Sequence, residues 1–264
     1  MGNQEILSVF FIIGIFVADS TALDIQRLNT ASGSTGNTTL TINHELLAGQ
    51  SRIVVVGISV EDSQGVGRTT SITYGGLPMH AIAGSLSTTV SGGTSIITEL
   101  YYLLESELPG TGNTTLSITH NGNDISAGVT LLGGVQQSTP DTVSISSALT
   151  PTQVSTSITT TIAGSMIVDV IGGGHPQNRG VFVAGVDQSE SWDANAPSSQ
   201  SASSTRIAAV PGAYNLLWDW QDNGSTLNRA AHSVVVLSPQ SGGTPPTNQA
   251  PQITAIADQS VVEQ

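Results

Sequence analysis

The sequence predicts an all-β protein, an antiparallel jelly-roll-like β-sandwich, and three observations carry that expectation. Short alternating segments recur along the chain, T-L-T-I at 39–42 and T-L-S-I at 115–118 being the cleanest. A period of two with one apolar face marks a half-buried strand. Turn formers punctuate these segments: Gly75-Gly76, Gly92-Gly93, Asn121-Gly122-Asn123-Asp124 and Gly172-Gly173-Gly174. Charged residues make up only 9% of the 264 residues and aromatics 4%, against 29 glycines. Abundant Ser, Thr and Gly disfavour helices through hydrogen-bond competition and backbone entropy, and no helical period is visible after residue 22.

Residues 1–22 stand apart. An apolar run at 6–18 is too short for a comfortable membrane span and is followed by the small residues Ser20-Thr21-Ala22. This is the pattern of a secretory signal peptide, although Glu5 is present and Lys and Arg are missing before the run. A retained N-terminal anchor or assembly segment is the rival reading. From 23 to 238 the pattern is uniformly that of one β-sandwich domain. Strands are expected at 38–44, 51–61, 70–74, 79–84, 95–104, 114–120 and 126–132, then at 142–146, 155–162, 165–171, 181–186, 203–210, 214–220 and 230–237.

The run S-R-I-V-V-V-G-I-S-V-E-D at 51–62 is the densest in β-branched residues after the N-terminus. Apolar on both faces and closed by polar residues, it reads as a central strand covered on both sides. The nonapeptide at 36–44, G-N-T-T-L-T-I-N-H, is echoed at 112–120 by G-N-T-T-L-S-I-T-H. Two strands in similar surroundings explain the echo, and one matched stretch is too little to establish a duplicated half-sandwich. Residues 239–251 are a Pro/Gly/Thr-rich linker, and 252–264 hold a strand or two, too little to fold alone.

Two stretches resemble a known family. I-x-H at 42–44, the run 51–61, I-T-Y-G-G at 72–76, E-L-Y-Y-L at 99–103 and A-x-S-V-V-V-L at 231–237 resemble a secreted β-sandwich module of large bacterial surface proteins. The tail N-Q-A-P-x-I-x-x-I-x-D-Q-x-V-x-E at 248–263 resembles the first strand of the Ig-like or cadherin-like repeats found beside such modules. The resemblance implies a sandwich fold at the cell surface and says little about activity. It leaves the tail either as the stump of a further repeat or as a strand awaiting an acceptor, with Ile253, Ile256 and Val261 as its apolar positions.

The chemistry-bearing residues are few. With 19 acidic and 6 basic residues, net charge −13, there is no electrostatic footprint for nucleic acid. The absence of cysteine leaves stability to the core, or to metal ions, instead of disulfides. His44, His80, His120, His175 and His232 show no zinc-ligand spacing and read as strand-end or surface residues. No G-x-S-x-G elbow marks a serine hydrolase. A glycosidase would need two close carboxylates in a cleft, for which Glu61 and Glu99 are the candidates, although carboxylates at strand rims are usually solvated. Calcium could use the oxygen-rich turns holding Asp219, Asp222 and Asn223, and Asn121 and Asp124, yet such sequences are also ordinary turn chemistry. Trp218 and Trp220 share one strand face. Exposed, they would be a sugar-stacking platform; buried, they are core, the use favoured where aromatics are scarce.

These observations lead to a non-catalytic structural or adhesive module of a secreted or cell-surface protein, without a stable membrane span after processing. Its partners would be other surface-protein domains or copies of itself. A filament subunit that donates its terminal strand and a carbohydrate-binding module are the alternatives.

Overall fold

The computed structural model describes residues 22–64, 68–140, 142–174, 180–222 and 227–241, with the backbone alone of Asp222. The N-terminal segment to residue 21, His175, Asn223 and the tail with Ile253, Ile256 and Val261 lie outside the described residues. Residues Leu23–Gln240 form one compact unit. It is antiparallel β throughout, and the helical element among the described residues is one 3-10 turn, Glu105–Glu107.

The expected sandwich is two sandwiches in tandem. The first repeat runs β1 (Gln26–Thr35), β2 (Thr39–Leu46), β3 (Ile53–Asp62), β4 (Thr69–Tyr74), β5 (Leu77–Pro78), β6 (His80–Ala81), β7 (Ser87–Ser91), β8 (Thr94–Leu104), β9 (Gly112–His120) and β10 (Asp124–Gly133). The second runs β11 (Thr142–Leu149), β12 (Gln153–Thr160), β13 (Ser165–Gly174), β14 (Gly180–Ala184), β15 (Ser189–Asn195), β16 (Ser199–Ala208), β17 (Gly212–Asp222) and β18 (Arg229–Leu237). In the first, one sheet is ordered β1-β10-β3-β8, with β6 and β7 both on the outer edge of β8, and the other is β2-β9-β4-β5. In the second, the sheets are β11-β18-β13-β16-β15 and β12-β17-β14. Apart from the short β5 and β6, the orders coincide strand for strand. The echoed nonapeptides are not the duplicated unit: they form β2 and β9, which pair with each other from Thr39↔Thr119 to Leu46↔Gly112. The strand expected at 79–84 shrinks to the two residues of β6.

The two large sheets face each other, so each is covered on both sides. Val54, Val56, Ile58 and Val60 of β3 join Leu40, Ile42, Leu116 and Ile118 in the first sandwich core. Ile53 and Val55, on its other face, join Met166, Val168, Val170 and Val235 between the repeats. This is why β3 is buried at every position, as are β10, β13 and β18, and why the run 51–62 lacks alternation. Each such Val or Ile contributes about 1.5–3 kcal/mol by leaving water.

The repeats meet as the subunits of a two-fold dimer would. β3 lies against β13, β1 against β15, and β7 against β11, the self-complementary pattern of an isologous interface. Trp192 of β15 fits over Gly128, where a Cβ would sit 2.2 Å from its indole Cε2. On the same edge the Ser32 hydroxyl donates to the Asp193 carbonyl at 2.9 Å, and Arg27 Nη1 donates to the Glu190 carbonyl at 2.9 Å. The Leu23 N–H donates to the Gln240 carbonyl at 3.0 Å, and the Gln240 N–H to the Gly134 carbonyl at 2.7 Å. The chain therefore enters and leaves this unit at one point.

Candidate functional site

The structure separates most of the residues singled out above. Glu61 and Glu99 lie on opposite faces of one sheet: Glu61 follows Ile53 and Val55 toward the second repeat, while Glu99 is opposite Ile58, which points into the first core. They form no catalytic pair. Glu99 accepts the Tyr101 hydroxyl at 2.7 Å, and Glu61 forms a buried ion pair with Arg229 of the second repeat. Trp218 is 0% exposed and Trp220 8%, packed edge-on against Phe182. Burial of both rings removes the sugar-stacking platform: the inward face of β17 is core.

The oxygen-rich residues are occupied in closing turns. Asn121 Oδ1 accepts the Arg68 N–H at 2.6 Å, and Asp124 Oδ2 accepts the Ser198 N–H at 2.8 Å and its hydroxyl. Asp219, in the other repeat, accepts Gln153 Nε2 at 2.7 Å. Among the described residues no group of three His, Asp or Glu side chains is placed to hold a metal ion. The Asp222 side chain and Asn223 lie outside them.

Two arrangements that the sequence did not disclose emerge. The first is a buried hydrogen-bond network in the second sandwich. Asp169 Oδ2 accepts Trp218 Nε1 at 2.8 Å and lies 3.1 Å from His232 Nε2, and Asp169 Oδ1 accepts the Ser204 N–H at 2.5 Å. His232 Nδ1 is 2.7 Å from Thr156 Oγ1, which is 2.5 Å from Ser146 Oγ. The order Asp–His–Thr has the look of a catalytic triad, but Asp169 and His232 are 0% exposed and Thr156 2%. A nucleophile there meets no substrate. The partners come from β11, β12, β13, β16, β17 and β18, so no sequence spacing announces them.

The second arrangement is an open groove of ≈ 400 Å³ in the first repeat. Gly75 and Gly76, with φ of 59° and 82°, make the two-residue hairpin turn that requires positive φ and carries Leu77 and Pro78 to one wall. Leu103 and Leu108 form the other apolar surfaces, and His80 and Glu107 supply the polar ones. His80 sits opposite Tyr102 in the β6–β8 pairing, ring centroids 5.5 Å apart. Its Nε2 is 2.5 Å from Glu107 Oε1. Glu107 is set by the 3-10 turn, where its Oε2 reaches back to the Leu104 N–H at 3.1 Å, the return half of a capping box. The turn is anchored in turn by Arg52, which grips both Glu105 oxygens and donates from Nη1 to the Leu47 carbonyl at 2.8 Å.

The Arg52 guanidinium holds the Glu105 carboxyl below the usual carboxylate range. His80, and secondarily the Leu104 N–H, do the same for Glu107, so the groove carries an ionised carboxylate at neutral pH. A carboxyl depressed in the folded state contributes stability that is present above its ordinary value and lost as pH falls through the folded one. For this half-exposed pair the contribution is small. Carboxyl NMR titration is expected to place Glu107 below a free glutamate and to return it upward in His80→Ala. An unmoved Glu107 in that variant would remove His80 as the cause.

No protein-family model matches this sequence, and no curated protein sequence matches it.

Proposed function

We infer that the chain is a non-catalytic structural and adhesive module of a secreted or cell-surface protein, and that the His80–Glu107 groove is its adhesive contact. One observation carries this reading: the interior titratable side chains described above are spent on holding strands together, whereas His80 and Glu107 present an exposed ionisable pair beside an apolar wall. The resemblance of the core strands to surface-protein sandwich modules supports the same reading. The occupant that fits is a segment of another surface-protein domain bearing an aliphatic side chain next to Lys or Arg. Leu77, Pro78 and Leu108 would take the apolar part, and Glu107, in a protein of net charge −13, would take the cation.

The test uses the full chain with two amidated peptides, Leu-Lys-Leu and Leu-Glu-Leu, followed by NMR at His80 and the groove leucines. Shifts caused by the lysine peptide alone, and lost in Glu107→Gln, are expected. Equal response to both peptides, response to neither, or turnover of chromogenic glycosides or esters by the chain would overturn the reading.

A further inference from the structure

The central ladders of the two repeats match residue for residue, although the bulges in β1, β4 and β15 and the short β5 and β6 are not shared. The β10–β3 ladder begins at Leu132↔Ile53 and the β18–β13 ladder at Leu237↔Met166. The β2–β9 and β12–β17 ladders run from Thr39↔Thr119 to Leu46↔Gly112 and from Gln153↔Asp219 to Thr160↔Gly212. Counting from these ends, Asp169 occupies the place of Val56, His232 of Ala127, Thr156 of Ile42 and Trp218 of Ile118. Ser146, opposite His232, stands where Gly33 stands opposite Ala127.

The network of the second sandwich is thus replaced in the first by an apolar set, and Val56, Ala127, Ile42 and Ile118 all belong to its core. A fold of this topology does not require the polar residues. Their effect appears when strands are exchanged. With β18 in the place of β10, His232 enters an apolar layer with no acceptor, and Asp169 faces Ala127 and loses a donor. A buried, unpaired ionisable group is strongly disfavoured, while cores apolar at all of these positions set no such barrier to exchange of β10 and β18. The first core keeps a buried polar pair elsewhere, His44 Nδ1 lying 2.6 Å from the Tyr74 hydroxyl.

We propose that the Ser146–Thr156–His232–Asp169–Trp218 network is an identity lock that assigns each strand to its own sandwich. It suppresses exchange of a first-repeat strand for its second-repeat equivalent, whether within one chain or between two copies. The hazard is built into the architecture, since duplicated domains in one chain invite swapped assembly. A polar group buried at one position of an otherwise apolar core is a known means of fixing pairing.

The experiment refolds the full chain from urea at high concentration and measures interlocked dimers by light scattering after dilution. The variant carries the first-repeat residues: Ser146→Gly, Thr156→Ile, Asp169→Val, Trp218→Ile and His232→Ala. It is expected to regain its strand content but to yield at least tenfold more interlocked dimer than the parent. A second variant, Asp169→Val with His232→Ala, keeps Trp218 for packing and is expected to swap as well. A dimer fraction equal to the parent's in a folded variant overturns the proposal. Failure of both variants to regain strand content also overturns it, because the network would then be a requirement of folding and not a discriminator.

Discussion

Asp169→Ala is expected to cost about 3–5 kcal/mol, the range for breaking a buried charged network by removing one partner. The carboxylate receives the Trp218 indole N–H and the Ser204 backbone N–H and faces His232 Nε2, all within 3.1 Å. Removing it strands these groups in the core, each orphan costing about 1–3 kcal/mol. Asp169→Asn keeps the shape and one acceptor oxygen, so a smaller loss is expected. Urea titration is the measurement, with an unchanged slope showing that the folded and unfolded surfaces are comparable. An Asp169→Ala midpoint indistinguishable from the parent's would mean that the surroundings relax or admit water, and the network would lose its structural meaning.

The second large effect is expected at Glu61 and Arg229. They tie the repeats together, the side chains each 5% exposed. Burial already pushes the Arg229 guanidinium below its usual value, yet an arginine stays charged at neutral pH. Glu61→Ala therefore leaves a buried cation without its countercharge, at a cost of about 3–5 kcal/mol. Arg229→Ala leaves the complementary orphan. The double variant buries neither charge and is expected to be less destabilised than the sum of the singles, by about 0.5–3 kcal/mol of coupling. Strict additivity in the double-mutant cycle would show that the pair does not act as a pair.

The strands legible in the sequence are those whose burial imposes a pattern. The alternation at 39–42 marks β2, one face in the core and one in water, and the unbroken apolar run at 51–62 marks β3, covered by a sheet on each side. The strands that escape are β1, β7 and β15, each at the edge of a large sheet, and the two-residue β5 at the edge of a small one. Q-R-L-N-T-A-S-G-S-T of β1 and S-E-S-W-D-A-N of β15 are held by backbone pairing on one side and by bonds from Arg27 and Ser32 across to the other repeat. Such contacts need no alternation. The duplication is equally hidden: β3 and β13 hold the same place with S-R-I-V-V-V-G at 51–57 in one and G-S-M-I-V-D-V at 164–170 in the other, alike in bulk and not in letters.

The site residues divide along the same line. The sequence offers Glu61 and Glu99 as the two carboxylates a glycosidase would need; the pairing of β3 with β8 brings their strands together, and its register turns the side chains to opposite faces. Trp218 and Trp220 do share a face, as their spacing requires, and that face turns inward. His80 and Glu107 are 27 residues apart and meet only because β6 pairs with β8 and the 3-10 turn folds Glu107 back. His232 and Asp169 are 63 apart and meet only across neighbouring strands.

The clasp that joins Leu23 to Gln240 has a mechanical consequence. A pull applied between these residues does not run through the length of either sandwich. It falls first on the hydrogen bonds linking Leu23, Gln240 and Gly134, and then on the ends of β1 and β18, whose ladders open one pair at a time from Gln26↔Gly133 and Leu237↔Met166. Loaded in this way, strands peel instead of shearing as a set, so little force is sustained. Separating Leu23 from Gln240 is therefore expected to open the unit from this edge inward.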